Sequence, residues 1–135
     1  TIAGPVTVAP GASLVATGGA VNGPISAVRP VLFALDGTTV AGPVTVSGAT
    51  GGLTISEGRV NGPVSVTANS GGVRIDSVVV GGPVTVTGNS GSQPVVVAAN
   101  TVSGPLNCSG NDPAPVNEGR HNTVKGPATG QCARL

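Results

Sequence analysis

Residues 80–86 read VGGPVTV, a Gly-Pro dipeptide flanked by aliphatic residues. The Gly-Pro dipeptide occurs seven times in the 135 residues, at intervals of 19, 19, 20, 20, 22 and 22. The seven copies open at Gly4, Gly23, Gly42, Gly62, Gly82, Gly104 and Gly126. A repeat period near 20 residues indicates a solenoid, in which each repeat forms one coil that stacks on the previous one.

The residues around each Gly-Pro predict three short strands per coil. Aliphatic residues stand two positions before the glycine and, in all copies but the last, two after it, and a polar residue follows the second of them. This alternation, rich in β-branched residues, is typical of a strand with one buried face. A second apolar pair, such as Leu53 and Ile55, predicts a second strand, and Val60 marks a short third strand before the next Gly-Pro.

These patterns predict an all-β fold, a three-sided parallel β-helix (β-solenoid) of about six coils of 19–22 residues. The whole chain, 1–135, is predicted to be a single domain. Residues 1–103 form regular Gly-Pro coils, and residues 104–135 form a longer, disulfide-capped C-terminal coil. Proline has no N–H for a parallel ladder, so each Gly-Pro is predicted to lie at a corner. We expect the glycine to supply unusual backbone angles there.

Three asparagines share one position, seven residues after their Gly-Pro glycine. They are Asn69, Asn89 and Asn111. Two interpretations are open for them. They stack as an inward asparagine ladder, or they are present because asparagine suits turns.

The two cysteines, Cys108 and Cys132, lie near the C-terminal end of the sequence. Cys108 occupies an inward position of the sixth coil, and Cys132 falls in the partial coil above it. A disulfide between them would close the last coil, whereas two free thiols are the alternative. A disulfide indicates an oxidising compartment. No leader-like segment opens the sequence, so the protein is either cytosolic or a signal peptide has been removed; we predict a secreted or cell-surface protein.

Composition excludes several classes of function. Charged residues make up 8% of the chain, the net charge is +1, and there is one Phe with no Trp or Tyr. We therefore expect no nucleic-acid partner, because phosphate binding needs a basic surface. No apolar run is long enough to span a membrane. Asp36, Asp76 and His121 match no catalytic arrangement, so we expect no enzymatic activity, no cofactor and no metal.

The outward residues of the first strand form a candidate binding face. Its best-matching members are Thr45, Ser47, Ser65, Thr67, Thr85 and Thr87. The pattern resembles the Thr-x-Thr arrays of β-helical ice-binding proteins, which implies a flat face for ice or for a polysaccharide. The alternative is that Ser and Thr are simply compatible with any exposed strand.

The first coil is a candidate assembly edge. Its strand Val6, Thr7 and Val8 is uncharged and β-branched, and Pro5 precedes the strand without interrupting it. Soluble solenoids usually protect such an edge with a charge, a proline within the strand or a covering segment. We therefore predict that the chain associates with copies of itself.

The recurring aliphatic-x-Gly-Pro-Val-x-Val pattern of residues 2–106 is similar to the coils of bactofilins, which are polymer-forming parallel β-helices. The segment 107–132 resembles the end of small exported actinobacterial proteins of uncharacterised role, which implies export and supports the disulfide. The overall prediction is an exported, non-enzymatic structural protein that self-associates as a fibre or a closed oligomer. The alternative is a binding module for ice or polysaccharide.

Overall fold

The computed structural model describes all 135 residues, and they form eighteen strands with no helix. The strands are numbered β1 to β18 in chain order and fall into three sheets. Sheet 1 contains β1 (Val6–Val8), β4 (Ile25–Val28), β7 (Val44–Ser47), β10 (Val64–Thr67), β13 (Val84–Thr87), β16 (Leu106–Ser109) and β18 (Ala128–Gly130). Sheet 2 contains β2 (Ser13–Thr17), β5 (Leu32–Asp36), β8 (Leu53–Ser56), β11 (Val73–Asp76) and β14 (Val96–Ala98). Sheet 3 contains β3 (Ala20–Val21), β6 (Thr39–Val40), β9 (Arg59–Val60), β12 (Val79–Val80), β15 (Thr101–Val102) and β17 (Thr123–Val124).

Every strand pairs in parallel with the equivalent strand one coil away. Val64, for example, pairs with Val44 on one side and with Val84 on the other. Isolated bridges extend two sheets by one position each, from Ile2 to Val21 in sheet 3 and from Val96 to Val116 in sheet 2. The predicted three-sided parallel β-solenoid of about six coils is confirmed.

The alternating apolar residues fill one continuous core that runs through the coils. A cluster of 27 buried residues includes the inward members of all three sheets. Phe33 has no exposed surface, and the valines Val46, Val66 and Val86 stack on one another in successive coils. Because each coil covers the apolar surface of the next, burial along the axis stabilises the stack.

The role expected for the glycine of each Gly-Pro is wrong. None of these glycines has a positive φ. The reason for glycine is the close approach of successive corners. A Cβ on Gly62 would lie 2.8 Å from the backbone nitrogen of Pro43, and a Cβ on Gly104 would lie 2.8 Å from that of Pro83.

The asparagines form an inward ladder, which decides between the two interpretations. Asn69, Asn89 and Asn111 are each at least 95% buried. The backbone N–H and the Nδ2 group of each donate to one side-chain oxygen in the next coil. A second ladder, which the sequence analysis missed, joins Asn100 to Asn122 at the next corner.

Candidate functional site

The predicted binding face lies on three adjacent strands of sheet 1. Thr45, Ser65 and Thr85 pair in register, and so do Ser47, Thr67 and Thr87. All six side chains point away from the core because their neighbours in each strand are buried. We call these six residues the Ser/Thr face. Successive strands are spaced by about 4.8 Å, so the hydroxyl groups form two regular columns.

The six hydroxyl groups of the Ser/Thr face make no side-chain hydrogen bond within the protein, unlike those of Thr38, Ser56 and Ser77 elsewhere. They are therefore free to bind water or a ligand group. The column of Thr45, Ser65 and Thr85 continues in both directions, to Ser26 in the second coil and to Asn107 in the sixth. The column of Ser47, Thr67 and Thr87 is interrupted by Val28 in the second coil. No charged side chain lies within either column.

The first coil lies at one end of each sheet, where β1 and β2 have a partner strand on one side only, whereas β3 also bridges to Ile2. The strand of Val6, Thr7 and Val8 pairs only with β4, and it forms one end of sheet 1. Val8 is buried, Val6 is half-buried and Thr7 is exposed. The outer backbone groups of β1 therefore have no partner strand within this chain.

Exposed aliphatic side chains concentrate beside this edge. Five of the six large apolar residues that are substantially exposed belong to the first two coils. Four of them lie on the outer surface at or near the passage from sheet 1 to sheet 2: Val15 in β2 (63% exposed), Val28 at the end of β4 (46%), Val31 between β4 and β5 (46%) and Leu32 at the start of β5 (40%). We call these four residues the apolar corner. The sequence analysis noted the low charge of the surface but did not identify this cluster.

The C-terminal end is covered by a strap, residues 131–135. Cys132 pairs with Cys108, their Cα atoms lie 5.2 Å apart, and both side chains are buried. Gln131 takes the position of the next asparagine in the first ladder, where its Oε1 accepts from the backbone N–H and the Nδ2 of Asn111. The strap then crosses the end of the core, and the carbonyl of Leu135 accepts from the backbone and side chain of Asn122 in the second ladder.

A four-residue ion-pair cluster holds the long sixth coil against sheet 2. Arg74 contacts Asp76 at 3.2 Å and Glu118 at 3.0 Å, and Arg120 donates to both oxygens of Asp76 at 2.9 and 3.0 Å. The hydrogen bonds from Arg120 hold the pKa of Asp76 below its usual value. The same contact raises the pKa of Arg120. Since both carboxylates are paired with arginines, the cluster anchors a loop and offers no free acid or base.

The remaining polar residues do not converge on a reaction centre. Asp36 accepts a hydrogen bond from Ser56 at 3.3 Å, whereas His121 lies in the exposed loop of the sixth coil, 3.5 Å from the amide of Asn117. No group of three or more His, Cys, Asp or Glu side chains is arranged to hold a metal ion. The structure also contains no helix with the length and hydropathy needed to cross a membrane.

One small groove opens at the corner between sheets 1 and 2, in the fourth and fifth coils. Its volume is about 280 Å³ and it is lined by Ser70, Gly71, Gly72, Ser92 and Gln93. It lies where the fifth coil is two residues longer than the fourth. No charged or buried unpaired polar side chain points into it.

A comparison with protein-family models, with curated proteins and with solved structures found no match to this chain.

Proposed function

We propose that this protein is a non-enzymatic structural protein that associates with copies of itself through its first two coils. The observation that carries the proposal is the apolar corner, which lies beside the unpaired edge of β1. Contiguous exposed apolar patches on soluble proteins commonly mark interaction sites. Burial of the four side chains against a second copy would contribute about 25 cal/mol for each Å² of apolar surface removed from water.

The surrounding surface favours a second copy over a charged partner. Only 8% of the residues are charged, and Arg29 is the one charged residue between Val28 and Leu32. A nucleic acid or a strongly acidic protein would need a complementary basic surface, which this region lacks. Two copies of the same weakly charged solenoid meet without such a requirement.

The proposal extends to export. The pairing of Cys108 with Cys132 supports an oxidising compartment, because such bonds persist mainly outside the cytosol. The similarity of the coil pattern to that of the polymer-forming bactofilins supports self-association, and the similarity of the C-terminal segment to small exported proteins supports a location outside the cell or at its surface.

Sedimentation velocity over a range of protein concentrations tests self-association. We expect the native protein to sediment as an oligomer, and the double variant Val15→Lys/Leu32→Lys to associate at least tenfold more weakly. Val116→Lys is the matched control, because Val116 is similarly exposed (37%) but lies in the sixth coil. A native protein that stays monomeric at every accessible concentration would contradict the proposal.

A second candidate function is binding of ice or a polysaccharide by the Ser/Thr face. The observation in its favour is that six hydroxyl groups in two registered columns lack any partner within the protein. The test is thermal hysteresis, together with co-sedimentation with insoluble polysaccharides. Thr67→Lys/Thr87→Lys should abolish either activity, whereas Thr54→Lys on sheet 2 should not. Absence of both activities in the native protein excludes this candidate.

A further inference from the structure

Two of the seven Gly-Pro corners carry an asparagine directly before the glycine. These are Asn22-Gly23 and Asn61-Gly62, the only Asn-Gly dipeptides in the chain. Asparagine followed by glycine is prone to spontaneous loss of the side-chain amide, because glycine has no side chain to hinder attack by its backbone nitrogen. Whether this reaction can proceed in the folded protein depends on how the fold holds the two reacting groups.

Both asparagines are exposed at the corner between sheets 3 and 1. Asn22 follows β3 and precedes β4, and Asn61 follows β9 and precedes β10. Neither side chain makes a hydrogen bond within the protein, and the N–H groups of Gly23 and Gly62 have no acceptor. The side-chain carbonyl that would be attacked and the backbone nitrogen that would attack it are therefore free of competing hydrogen bonds.

The asparagines of the two ladders are held differently. The residue after each of the five ladder asparagines donates its backbone N–H to a carbonyl of the coil below, at 2.8 or 2.9 Å, as Ser70 does to Ala49. The side chain of Asn69 is fixed too, since its Oδ1 accepts from Ala49 N–H and its Nδ2 donates to Asn89. Reaction at a ladder asparagine would have to break several buried hydrogen bonds, which is costly.

The dipeptide Asp36-Gly37 provides a second comparison. It lies at the surface like the two Asn-Gly dipeptides, but the N–H of Gly37 donates to the carbonyl of Ser56 at 2.9 Å. The side chain of Asp36 also accepts a hydrogen bond from Ser56. An exposed glycine after a short polar residue thus has its nitrogen bound in sheet 2 and free at the two Asn-Gly corners.

From these observations we propose that Asn22 and Asn61 are sites of spontaneous deamidation in the folded protein. The glycine nitrogen loses its proton and attacks Cγ of the asparagine, so that a C–N bond forms. The Cγ–Nδ2 bond breaks, and the amide nitrogen takes up a proton and leaves as ammonia. Water then opens the five-membered succinimide ring, at Cγ to give aspartate or at the main-chain carbonyl to give isoaspartate. Each event consumes one water and releases one ammonia, with no oxidant or reductant.

The modification changes both the charge and the shape of the corner. Each event replaces a neutral amide by a carboxylate, so reaction at both sites changes the net charge from +1 to −1. Isoaspartate also adds one atom to the main chain where space is short, because a Cβ on Gly81 in the next coil would lie 2.7 Å from the carbonyl oxygen of Asn61. This inference goes beyond the proposed function and does not depend on self-association, since the apolar corner lies elsewhere in the coil.

Peptide mapping by mass spectrometry tests the proposal on the full chain incubated at mildly alkaline pH, where deamidation adds one mass unit to a peptide. We expect Asn22 and Asn61 to react at least tenfold faster than Asn69 and Asn89 in the folded protein. Their rates should lie within tenfold of those in urea. If Asn22 and Asn61 react in urea but stay intact in the folded protein, the corner protects them and the proposal is wrong.

The variant Asp36→Asn is the matched control for the free nitrogen. It places an exposed asparagine before Gly37, whose N–H remains bound to Ser56 in the sheet. Position 36 of this variant should deamidate at least tenfold more slowly than Asn61 in the folded protein, and at a similar rate in urea. Equal rates in the folded protein would overturn the argument from the unpaired glycine nitrogen.

Isoelectric focusing provides an independent readout. The band of the incubated native protein should move to lower pH in two steps, one for each asparagine. Asn22→Gln/Asn61→Gln should keep its position, because glutamine would need a six-membered ring and reacts far more slowly. An equal shift in this variant would place the reaction at other residues and contradict the proposal.

Discussion

The side-chain oxygen of Asn89 accepts two hydrogen bonds from Asn69 in the coil below, one from its backbone N–H at 3.0 Å and one from its Nδ2 at 2.8 Å. Asn89 in turn donates through its backbone N–H and its Nδ2 to the side-chain oxygen of Asn111. Asn89 and Asn111 thus each satisfy two buried donors of the asparagine in the coil below, and no buried side-chain polar atom in the protein lacks a partner. An interrupted ladder would leave buried donors unpaired, which is costly.

Replacement of Asn89 by alanine should therefore destabilise the protein strongly. The change leaves the two donors of Asn69 without an acceptor inside the solenoid, at about 1–3 kcal/mol for each unpaired group. We expect the free energy of unfolding from urea titration to fall by at least 2 kcal/mol. Ser90→Ala, one residue away and exposed, is the control and should change it by less than about 0.5 kcal/mol. Equal stabilities of the two variants would show that the ladder contributes nothing.

A methyl group at an interior Gly-Pro corner should force two coils apart. Gly62→Ala places its Cβ 2.8 Å from the nitrogen of Pro43 and 2.9 Å from the carbonyl carbon of Gly42. Because both neighbours are backbone atoms, relief requires movement of a whole coil, and a cost of about 1–3 kcal/mol is expected. Thermal unfolding followed by circular dichroism measures it. Gly72→Ala is the control, because its Cβ position is open and its φ is not positive. A similar melting temperature for both variants would contradict the steric explanation.

The cysteine pair should exist as a disulfide in the purified protein. Mass spectrometry of the unreduced chain is expected to show the loss of two hydrogens, with no alkylation of Cys108 or Cys132. In the chain-entropy model a closed loop of this length stabilises the fold by about 3.5 kcal/mol, so Cys108→Ala/Cys132→Ala should unfold at markedly lower urea concentration. Alkylation of both thiols without prior reduction would contradict this prediction and remove the argument for export.

The ion-pair cluster should make stability depend on pH in the acid range. The pKa of Asp76 is lowered in the folded state by its hydrogen bonds from Arg120, so the folded protein favours the ionised carboxylate. This contribution is present above the ordinary pKa of 3.8 and is lost as the pH falls through the folded-state pKa. Asp76→Asn should therefore be less stable than the native protein at pH 7, by up to about 1 kcal/mol, since the pairs lie at the surface. The difference should shrink as the pH falls through the lowered pKa of Asp76 in the folded state.

The control for this pH experiment is Asp36→Asn. Asp36 is exposed, and no arginine or lysine pairs with it. Its substitution should leave stability at pH 7 nearly unchanged. If both variants respond to pH in the same way, the cluster around Asp76 has no special role.

The sequence predicts most of this fold because the repeat is read directly from the Gly-Pro spacing. The inward positions of Val46, Val66 and Val86 follow from alternation alone, and the register between coils follows from the period. The second ladder was missed because only Asn100 and Asn122 form it, and two residues do not establish a column. The steric role of Gly62 was missed because an unusual φ and a close approach both select glycine, and only coordinates separate the two causes.

The surface was harder to predict than the core. The columns of the Ser/Thr face follow from strand alternation, but the absence of partners for hydroxyls such as Thr67 is visible only in three dimensions. Val15, Val31 and Leu32 occupy positions at which inward and outward residues cannot be told apart from composition. Their grouping at one corner depends on how the chain turns between sheets 1 and 2, which the period does not specify.

The bond between Cys108 and Cys132 also determines how the molecule would bear tension. A force applied at Leu135 enters the chain at Cys132 and passes through the sulfur bridge to Cys108. The 23 residues between the two cysteines, 109–131, are shielded from the load, so roughly 80 Å of chain would not extend when the protein is stretched. Pulling from the opposite end meets no such bridge and loads the first coil directly. The two ends of the solenoid should therefore resist force differently, because the last coil is cross-linked by the disulfide and the first coil has no covalent cross-link.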